Sequence, residues 1–506
     1  MPPSGSPLPT GITPYTPSYT PHKPDLLRSS WIPTPPTNGP GIRTMHTHIK
    51  KSHMKQLYLL PLLAILALTG CKKDDDASRP GNLTIEKTEY TLDADEERTA
   101  TVAFTAAADW TLSVVYDDAE SSADWLSVTP MSGTAGEQTV ELSATRNFRA
   151  SARTAYADLA CGEQSVRLTV TQAAASDDTD FTAQFDEAFA QELQKQDIIA
   201  DAGHITPEDM EKIATITRLN VSGTYENRGT LTSLQGIEYF ESLTYLNCDY
   251  NQLTELDVSQ NTVLTDLGCS SNQLTALDVS RNTELRYFVC FNNQLTELDV
   301  SRNTELTILG CNTNQLTELD VSANTKLETL WCDYNQLTEL DVSRNTELTY
   351  LDCEENPLTK LDVSANTKLE TLSCAANSLT TLDVSRNTAL TSFCCQNNQL
   401  TELDVSQNTA LTRFWCFSNE LTKLDVSQNT KLTDLTCFTN KLTELDLSRN
   451  TELTELRCEY NPGDGISNFP ITAWFDNDTK PVDLELDEEQ WKYDGKTITI
   501  DFRKAE

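Results

Sequence analysis

Positive charge is scarce in this chain of 506 residues. Lysine and arginine together number 38, whereas aspartate and glutamate number 76, so the formal net charge at pH 7 is −38. Nucleic-acid binding needs cations that neutralise phosphates, and the sequence contains no basic patch that would supply them. The composition therefore disfavours a nucleic-acid-binding function.

Histidine and the common catalytic motifs are also scarce. Of five histidines, four (His22, His46, His48 and His53) precede the segment described below as a signal peptide, which leaves only His204 in the mature chain. The sequence has no CxxC pair, HExxH, GxGxxG or nucleophile elbow. Paired carboxylates such as Glu354 and Glu355 are uninformative in so acidic a chain. We therefore expect no catalytic residues, no metal site and no enzymatic activity.

Cysteine, in contrast, recurs at one fixed interval. Eleven cysteines follow one another at steps of 21 residues: Cys248, Cys269, Cys290, Cys311, Cys332, Cys353, Cys374, Cys395, Cys416, Cys437 and Cys458. A period that never slips over this length indicates a repeat architecture.

The repeated unit reads LxxLxCxxNxLTxLDVSxNTx and is nested. Residues 264–272 fit LxxLxCxxN, and residues 274–282 fit LxxLxVxxN. Each turn is therefore predicted to hold two strand-like halves. In the first half, Leu267 and Cys269 are expected to point inward and Asp266 outward. A single turn cannot bury its own apolar face, so stacked turns must share a core.

Two asparagine columns mark the ends of these halves. We predict that both are buried, with each amide supplying a donor and an acceptor to backbone groups at the bends. The first column begins with Asn251, Asn272 and Asn293, and the second with Asn261, Asn282 and Asn303.

The motif resembles the nested, IRREKO class of bacterial leucine-rich repeats over residues 243–461. The resemblance implies a mostly β fold: a solenoid with parallel strands on a concave face and strand-like or extended segments behind. The cysteines occupy an inward position, so buried free thiols are expected, with metal binding or redox chemistry as the alternatives. Cys394 differs because it falls at an outward position beside Cys395.

The N-terminal part of the chain has the pattern of an export leader. Residues 1–53 are rich in Pro, Thr and Ser, and we predict a disordered, over-extended reading frame that truly begins at Met54. Residues 54–70 have a basic start and a short apolar core, which is typical of a signal peptide. The sequence from Leu68 to Cys71 resembles a bacterial lipobox, which implies lipidation at Cys71. The acidic tether at 71–80 resembles the surface-export signal of Bacteroidota lipoproteins, which implies a lipid anchor in the outer membrane and exposure to the cell exterior.

Residues 81–173 alternate apolar and polar residues in short runs separated by turns, which predicts an Ig-like β-sandwich. The segment from Trp125 to Pro130, with Gly133, Asn147 and Arg153, resembles the BACON domain. That family implies carbohydrate binding. The alternative is a spacer in which Trp110 and Trp125 are packing residues.

Caps are expected at both ends of the solenoid. After a linker at 174–180, residues 181–242 are predicted to form a helical N-terminal cap with degenerate first turns. Phe185, Phe189 and Leu193 recur every fourth residue, and Thr206-Pro207 has the pattern of a helix start. Residues 462–506 are predicted to form a β-containing C-terminal cap.

The outward positions of the cysteine-bearing strands, and the positions just beyond each cysteine, carry the candidate binding residues. Aromatic residues there are expected to contact a ligand, with a cross-turn stabilising ladder as the alternative. The candidates are Trp331, Trp415, Tyr245, Tyr287, Tyr350, Tyr334, Phe291 and Phe417. The interspersed acidic residues are Asp249, Asp266, Asp333, Asp352, Glu354, Glu355, Asp434 and Glu455.

A second acidic column lies in the other half of each turn. It runs from Asp257 to Asp446 at steps of 21 residues. Hydrogen bonds from Ser, Thr and backbone N–H groups are expected to offset the repulsion between these carboxylates, and a row of Ca²⁺ is the alternative cofactor.

Together these patterns predict a membrane-anchored surface lipoprotein that binds a host protein, a mucin or a polysaccharide for adhesion or capture. An accessory subunit or enzyme of a glycan-utilisation system is the alternative, and a purely structural coat stays open.

Overall fold

A computed structural model describes residues 83–95, 98–116, 125–474, 480 and 484–505. The predictions for 1–53, for the signal peptide at 54–70 and for the tether at 71–80, including lipidation of Cys71, lie outside these residues. Within the described part of the chain, no helix is long and apolar enough to cross a membrane.

The first nine strands form a sandwich of two sheets. They are β1 (Leu83–Ile85), β2 (Glu89–Leu92), β3 (Thr99–Ala106), β4 (Trp110–Tyr116), β5 (Leu126–Thr129), β6 (Ser132–Gly133), β7 (Gly136–Ala144), β8 (Arg153–Cys161) and β9 (Gln164–Gln172). One sheet has the order β1-β3-β7-β5 and the other β2-β9-β8-β4-β6. All pairs are antiparallel except β2 and β9, which are parallel.

Both sandwich tryptophans lie in the core. Trp110 and Trp125 are 1% and 2% exposed, so their rings are packing residues. The Trp110 ring packs edge-on against Phe104, with ring centroids 4.9 Å apart. A Cβ on Gly133 would lie 2.7 Å from Nε1 of Trp110, so the position requires glycine.

Two short helices, α1 (Glu187–Lys195) and α2 (Pro207–Ala214), precede the solenoid. Asp186 caps α1, so Phe185 lies just before the helix rather than within it. Thr206 caps α2 in a capping box with Asp209, and Pro207 is the first helical residue, as predicted. The buried side chains of both helices join the core of the solenoid.

The remaining strands belong to the solenoid and its C-terminal cap. They are β10 (Arg218–Asn220), β11 (Tyr245–Asn247), β12 (Asp266–Gly268), β13 (Tyr287–Val289), β14 (Ile308–Gly310), β15 (Thr329–Trp331), β16 (Tyr350–Asp352), β17 (Thr371–Ser373), β18 (Ser392–Cys394), β19 (Arg413–Trp415), β20 (Asp434–Thr436), β21 (Leu445–Asp446), β22 (Glu455–Arg457), β23 (Asn468–Ala473), β24 (Glu485–Leu486), β25 (Gln490–Tyr493) and β26 (Lys496–Lys504).

Thirteen of these strands form one parallel sheet. Its order is β10 through β20, then β22 and β24. From β11 to β20, each strand pairs with the residues 21 positions further on, as Leu330 does with Leu351. The sequence period therefore fixes the register, and the predicted mostly β, solenoid fold is confirmed.

The inward positions form a continuous core. The middle residue of each strand is Leu or Phe and is fully buried, as in Leu330 and Phe393. The eleven repeat cysteines are buried and free. Four of these thiols, those of Cys248, Cys269, Cys332 and Cys353, donate to a strand carbonyl of the next turn, as Sγ of Cys332 does to the carbonyl oxygen of Asp352 at 3.4 Å. The prediction of buried free thiols is confirmed, and Cys394 is partly exposed as expected.

Apart from β21, the second halves of the described turns are not strands, which corrects the expectation of two strand-like halves. Only β21 is a strand there, and it pairs with the cap strand β23. Elsewhere the backbone bends, because Ser259 N donates to Oδ1 of Asp257 (2.9 Å) and Asn261 N donates to the carbonyl of Val258 (3.0 Å). These local bonds occupy groups that a strand ladder would need.

The C-terminal cap covers the last turn. Phe469, Ile471 and Ile498 are buried and extend the solenoid core. Nε1 of Trp491 donates to the carbonyl of Asn461 over 2.9 Å, which satisfies an end group of the last repeat. The cap therefore replaces the neighbour that the final turn lacks.

Candidate binding face

One side of the parallel sheet carries the candidate site. We define the sheet face as four positions in each turn: the first and third residues of the strand, and the two residues after the cysteine. In the turn of β15, these positions are Thr329, Trp331, Asp333 and Tyr334. Because strands pair in register, equivalent positions of successive turns lie side by side.

The sheet face varies although the core behind it does not. The first strand position holds Tyr, Asp, Ile, Thr, Ser, Arg and Glu in different turns, whereas the middle position holds only Leu or Phe. The repeat frame therefore fixes packing and leaves the face free to carry a specific set of groups.

The predicted aromatic residues lie on this face, but most are half-buried. Tyr334 is 45% exposed. The seven others are partly buried: Trp331, Trp415, Tyr245, Tyr287, Tyr350, Phe291 and Phe417. The face is therefore a mixed surface of ring edges and polar groups rather than a broad exposed patch of rings.

Several of these rings contact groups of neighbouring turns, as a stabilising ladder would. Trp331 and Tyr350 meet edge to face, with centroids 6.2 Å apart. Phe417 and Phe438 stack at 4.4 Å. The guanidinium of Arg218 lies 3.9 Å from the ring centre of Tyr245.

Trp415 contacts two charged residues in the C-terminal part of the face, Arg413 and Asp434. The Arg413 guanidinium lies 5.3 Å from its ring centre. Nε1 of Trp415 donates to Oδ2 of Asp434 over 2.9 Å, and Nε of Arg413 lies 3.4 Å from the same oxygen. Ligand contact and cross-turn stabilisation are thus compatible for Trp415, and the binding role of all eight residues stays a prediction.

Acidic groups towards the start of the face are partly withdrawn from water. Burial raises the pKa of Asp249 to about 6, although the backbone N–H of Ser270 donates to its Oδ1 over 2.6 Å. Burial of Tyr287 itself, together with nearby acidic groups including Asp249, raises the pKa of Tyr287 to about 12.

Three carboxyl groups cluster in the turns of β15 and β16. Burial, and then the charge of Glu354, raise the pKa of Asp333 to about 7. Burial, Asp333 and Glu354 raise the pKa of Asp352 well above its usual value. Burial also raises the pKa of Glu354, although the Ser373 hydroxyl lies 3.0 Å from its Oε2. Sequence inspection identified these residues as outward and acidic but gave no sign of their burial.

Sequence reasoning missed the backbone conformation of the last column of the face. The second residue after each repeat cysteine has a φ between 49° and 59°. None of these residues is glycine, and Tyr250, Tyr334 and Tyr460 are among them. This left-handed conformation is uncommon for bulky side chains, and the repeat spacing alone does not reveal it.

The other acidic column has local partners. For each residue from Asp257 to Asp446, Oδ1 accepts the N–H of the serine two positions later, as Asp341 does from Ser343 at 2.9 Å. The Ser343 hydroxyl and N–H lower the pKa of Asp341. In the part of the chain that is described, no group of three or more His, Cys, Asp and Glu is arranged to hold a metal ion. Calcium along this column stays a prediction that a melt with chelator tests.

Comparisons with protein families match one segment in each of the two parts of the chain. Residues 82–175 match a family described as the viral BACON domain, and residues 251–271 match a leucine-rich repeat. No curated protein matches the sequence.

Solved structures with similarity to the chain include three bacterial leucine-rich proteins. The functional domain of InlJ from Listeria monocytogenes, described as including a cysteine ladder, is 34% identical; the match covers 58% of this chain and 82% of that chain, with a TM-score of 0.38. The internalin InlF from the same species is 26% identical, with coverages of 56% and 89% and a TM-score of 0.43. YopM, a leucine-rich effector from Yersinia pestis, is 25% identical, with coverages of 49% and 75% and a TM-score of 0.40.

Proposed function

We propose that this chain, which joins a BACON domain to a leucine-rich repeat solenoid, is a non-catalytic binding protein that recognises a protein ligand through the sheet face. One observation carries this proposal. The inward positions of the strands keep Leu or Phe and Cys from turn to turn, whereas the outward positions change. The variable outward positions give the sheet face a particular set of groups, which supports a ligand-binding role.

The groups on the sheet face suit a protein interface. Trp, Tyr and Arg are the residues that most often dominate interface energies, and the face carries all three. Half-buried rings such as Trp331 and Tyr350 are already held by each other, so a ligand pays little side-chain entropy to order them.

A mucin or polysaccharide ligand is less well supported. The two sandwich tryptophans are buried and offer no platform for a sugar ring. The ring of Trp415 is engaged by Arg413 and Asp434. The acidic character of the face would also repel sialylated or sulfated glycans.

Anchoring to the membrane is part of the proposal. After cleavage, Cys71 would carry the lipid, the tether at 71–80 would follow it, and the sandwich would lie between the anchor and the solenoid in sequence. Incorporation of labelled palmitate into the wild type and its loss in Cys71→Ala, in the native host, would support the anchor. Equal labelling of both chains would contradict it.

The proposed function is tested by binding of the whole chain to a panel of proteins, mucins and polysaccharides. We expect a protein ligand whose affinity falls at least about tenfold in Trp331→Ala and in Tyr334→Ala. Tyr225→Ala is the matched control, because Tyr225 is a 61% exposed ring outside the sheet face. Melting curves establish that each variant is folded. A ligand that binds all four proteins equally would contradict the proposal, as would a panel that yields no ligand.

A further inference from the structure

The central part of the sheet face combines aromatic and acidic groups from two adjacent turns. Trp331 lies beside Asp352 in the strand register, and the Trp331 ring meets Tyr350. Asp333 and the exposed Tyr334 follow on the first turn, and Glu354 on the second. We call these six residues the central patch: Trp331, Asp333, Tyr334, Tyr350, Asp352 and Glu354.

The carboxylates of the central patch have polar partners but no cation. Nδ2 of Asn312 lies 3.5 Å from Oδ2 of Asp333. Oδ1 of Asp352 accepts the backbone N–H of Glu354 over 3.3 Å. Among the described residues, none of the ion pairs includes an acidic group of the patch. Each charge is therefore offset only by neutral groups.

The C-terminal part of the same face is balanced internally. Asp434 faces Arg413, and Glu459 faces Arg457, whose Nη2 lies 3.2 Å from Oε1 of Glu459. Arg457 also pairs with Asp487 of the C-terminal cap. The chain thus supplies cations to acidic groups at one end of the face and leaves the central patch without them.

The lack of cations at the central patch, compared with the C-terminal part of the face, favours a partner that carries positive charge. A neutral or apolar surface laid over the central patch would remove the remaining water from three carboxyl groups without giving them a counter-charge, which is unfavourable. A lysine or arginine side chain would supply that charge. The faces of Trp331, Tyr334 and Tyr350 would add cation–π contacts.

We propose that the central patch is the docking site for a basic segment of the partner protein, which places a lysine or arginine side chain between the carboxylates and the rings. This inference rests on the proposed function of the sheet face and specifies which part of that face binds and what it recognises.

Binding at the central patch should be linked to protons. Asp333 is faced by Asn312 from the preceding turn, by Asp352, Glu354 and Tyr350 from the following turn, and by Tyr334 next to it. Its pKa of about 7 means that it is partly protonated at neutral pH when the site is free. A bound cation stabilises the ionised form, so protons leave on binding and the affinity rises between pH 6 and pH 8.

The test uses the whole chain and a ten-residue lysine peptide, with a ten-residue glutamine peptide as the uncharged probe. Asp333→Asn/Glu354→Gln removes two charges from the central patch. Asp341→Asn/Asp362→Asn removes two charges from the same turns, outside the sheet face, and keeps the acceptor oxygen for each serine N–H. Affinities are measured by calorimetry at physiological salt and at pH 6 and pH 8.

We expect the patch variant to bind the lysine peptide about tenfold more weakly than the wild type at pH 8, and the control variant to bind within about twofold. The heat of binding should depend on the buffer and report proton release in the wild type and in the control variant, and less in the patch variant. Equal losses in both variants would show attraction to the overall negative charge and would overturn the proposal. Calcium binding at the patch that the peptide does not displace would also overturn it.

Failure of this inference is distinguishable from failure of the proposed function. If a protein ligand loses affinity in Tyr334→Ala but not in Asp333→Asn/Glu354→Gln, the sheet face remains the binding site and the proposed recognition of a basic segment fails. If the ligand binds both variants as tightly as the wild type, the sheet face is not the binding site and the proposed function fails.

Discussion

At the scale of the residue, the two asparagine columns do different work. Nδ2 of Asn335 donates to the carbonyls of Cys311 and Cys332, and its Oδ1 accepts the N–H of Leu316 at 3.0 Å. Nδ2 of Asn345 also reaches two carbonyls, but its Oδ1 has no partner among the described residues. The prediction that both columns are buried is confirmed. The prediction that each amide supplies both a donor and an acceptor is wrong for the second column, which uses only its donors.

This difference gives a prediction. Asn335→Ala leaves a buried N–H unsatisfied in addition to carbonyls, whereas Asn345→Ala leaves carbonyls alone. An unsatisfied buried donor costs about 1–3 kcal/mol, so Asn335→Ala should lower the free energy of unfolding by at least about 1 kcal/mol more than Asn345→Ala. Urea denaturation of the two variants measures the difference. Equal losses would mean that the two columns are equivalent.

Asp333 gives a prediction on pH. Its pKa is about 7 in the folded chain and near 3.8 when unfolded, so the folded state binds the additional proton between these values. Stability contributed by this proton is fully present below about pH 4, declines as the pH rises from there, and is lost once the pH has passed about 7. Asp333→Asn should therefore stabilise the chain at pH 8, by more than about 1 kcal/mol, and by a smaller amount at pH 5.

The control for that measurement is Asp341→Asn. The Ser343 hydroxyl and N–H lower the pKa of Asp341, so any stability that its ionisation contributes is lost only as the pH falls below about 4. The difference in melting temperature between wild type and Asp333→Asn should be smaller at pH 5 than at pH 8. The difference between wild type and Asp341→Asn should show no such trend. A uniform effect of Asp333→Asn at both values would contradict the burial of its charge.

The cysteine column predicts slow thiol chemistry. Burial raises the pKa of Cys311 to about 12 and that of Cys353 well above its usual value. Thiol labelling of the native chain at pH 8 should therefore proceed at the rate of unfolding. Burial also raises the pKa of the partly exposed Cys394 to about 12. Fast labelling of several thiols before unfolding would contradict a closed core.

At the scale of the element, the sequence predicted the strand in the first half of each turn correctly and the backbone of the second half incorrectly. The alternation around Cys269 predicts β12, which is present. The similar pattern around Val279 does not form a strand, because the Asp278 and Ser280 pair and the Asn282 bend use backbone groups locally. Apolar alternation reports which side chains are buried but not which backbone groups find partners in the next turn.

The C-terminal cap gives a prediction at this scale. Trp491→Ala removes a buried ring and its bond to the Asn461 carbonyl, and we expect a loss of about 3–5 kcal/mol. Trp491→Phe keeps most of the ring and should lose less. Hydrogen exchange of β20 and β22 should quicken in the alanine variant and remain slow in β12. Equal exchange along the whole sheet would show that the cap does not protect the last turns.

At the scale of the whole molecule, the fixed period made the fold predictable. A register of 21 residues places like positions side by side, so the core and the outward columns follow from the sequence. The burial of Asp333 and Asp352 does not follow, because it depends on side chains one turn away on both sides. The proximity of Arg413 and Asp434, in contrast, does follow from the period, because they occupy the same position in adjacent turns.

The contact between the sandwich and the N-terminal cap of the solenoid was also not predictable from the sequence. The Phe148 ring of the sandwich meets Tyr239 at 4.5 Å and Phe181 at 5.6 Å, and Arg149 pairs with Glu241. Ala175, in the predicted linker, is buried in the solenoid core. The sandwich is therefore packed against the N-terminal cap, whereas the sequence suggested a separate spacer on a polar linker.

The most direct test of the central claim is oxidative footprinting of the whole chain with and without its protein ligand. The ligand should protect Trp331, Tyr334 and Tyr350 and leave Tyr225 and the exposed Met131 of the sandwich unchanged. Protection of Met131 or Tyr225, with the sheet face equally oxidised in both states, would contradict the central claim.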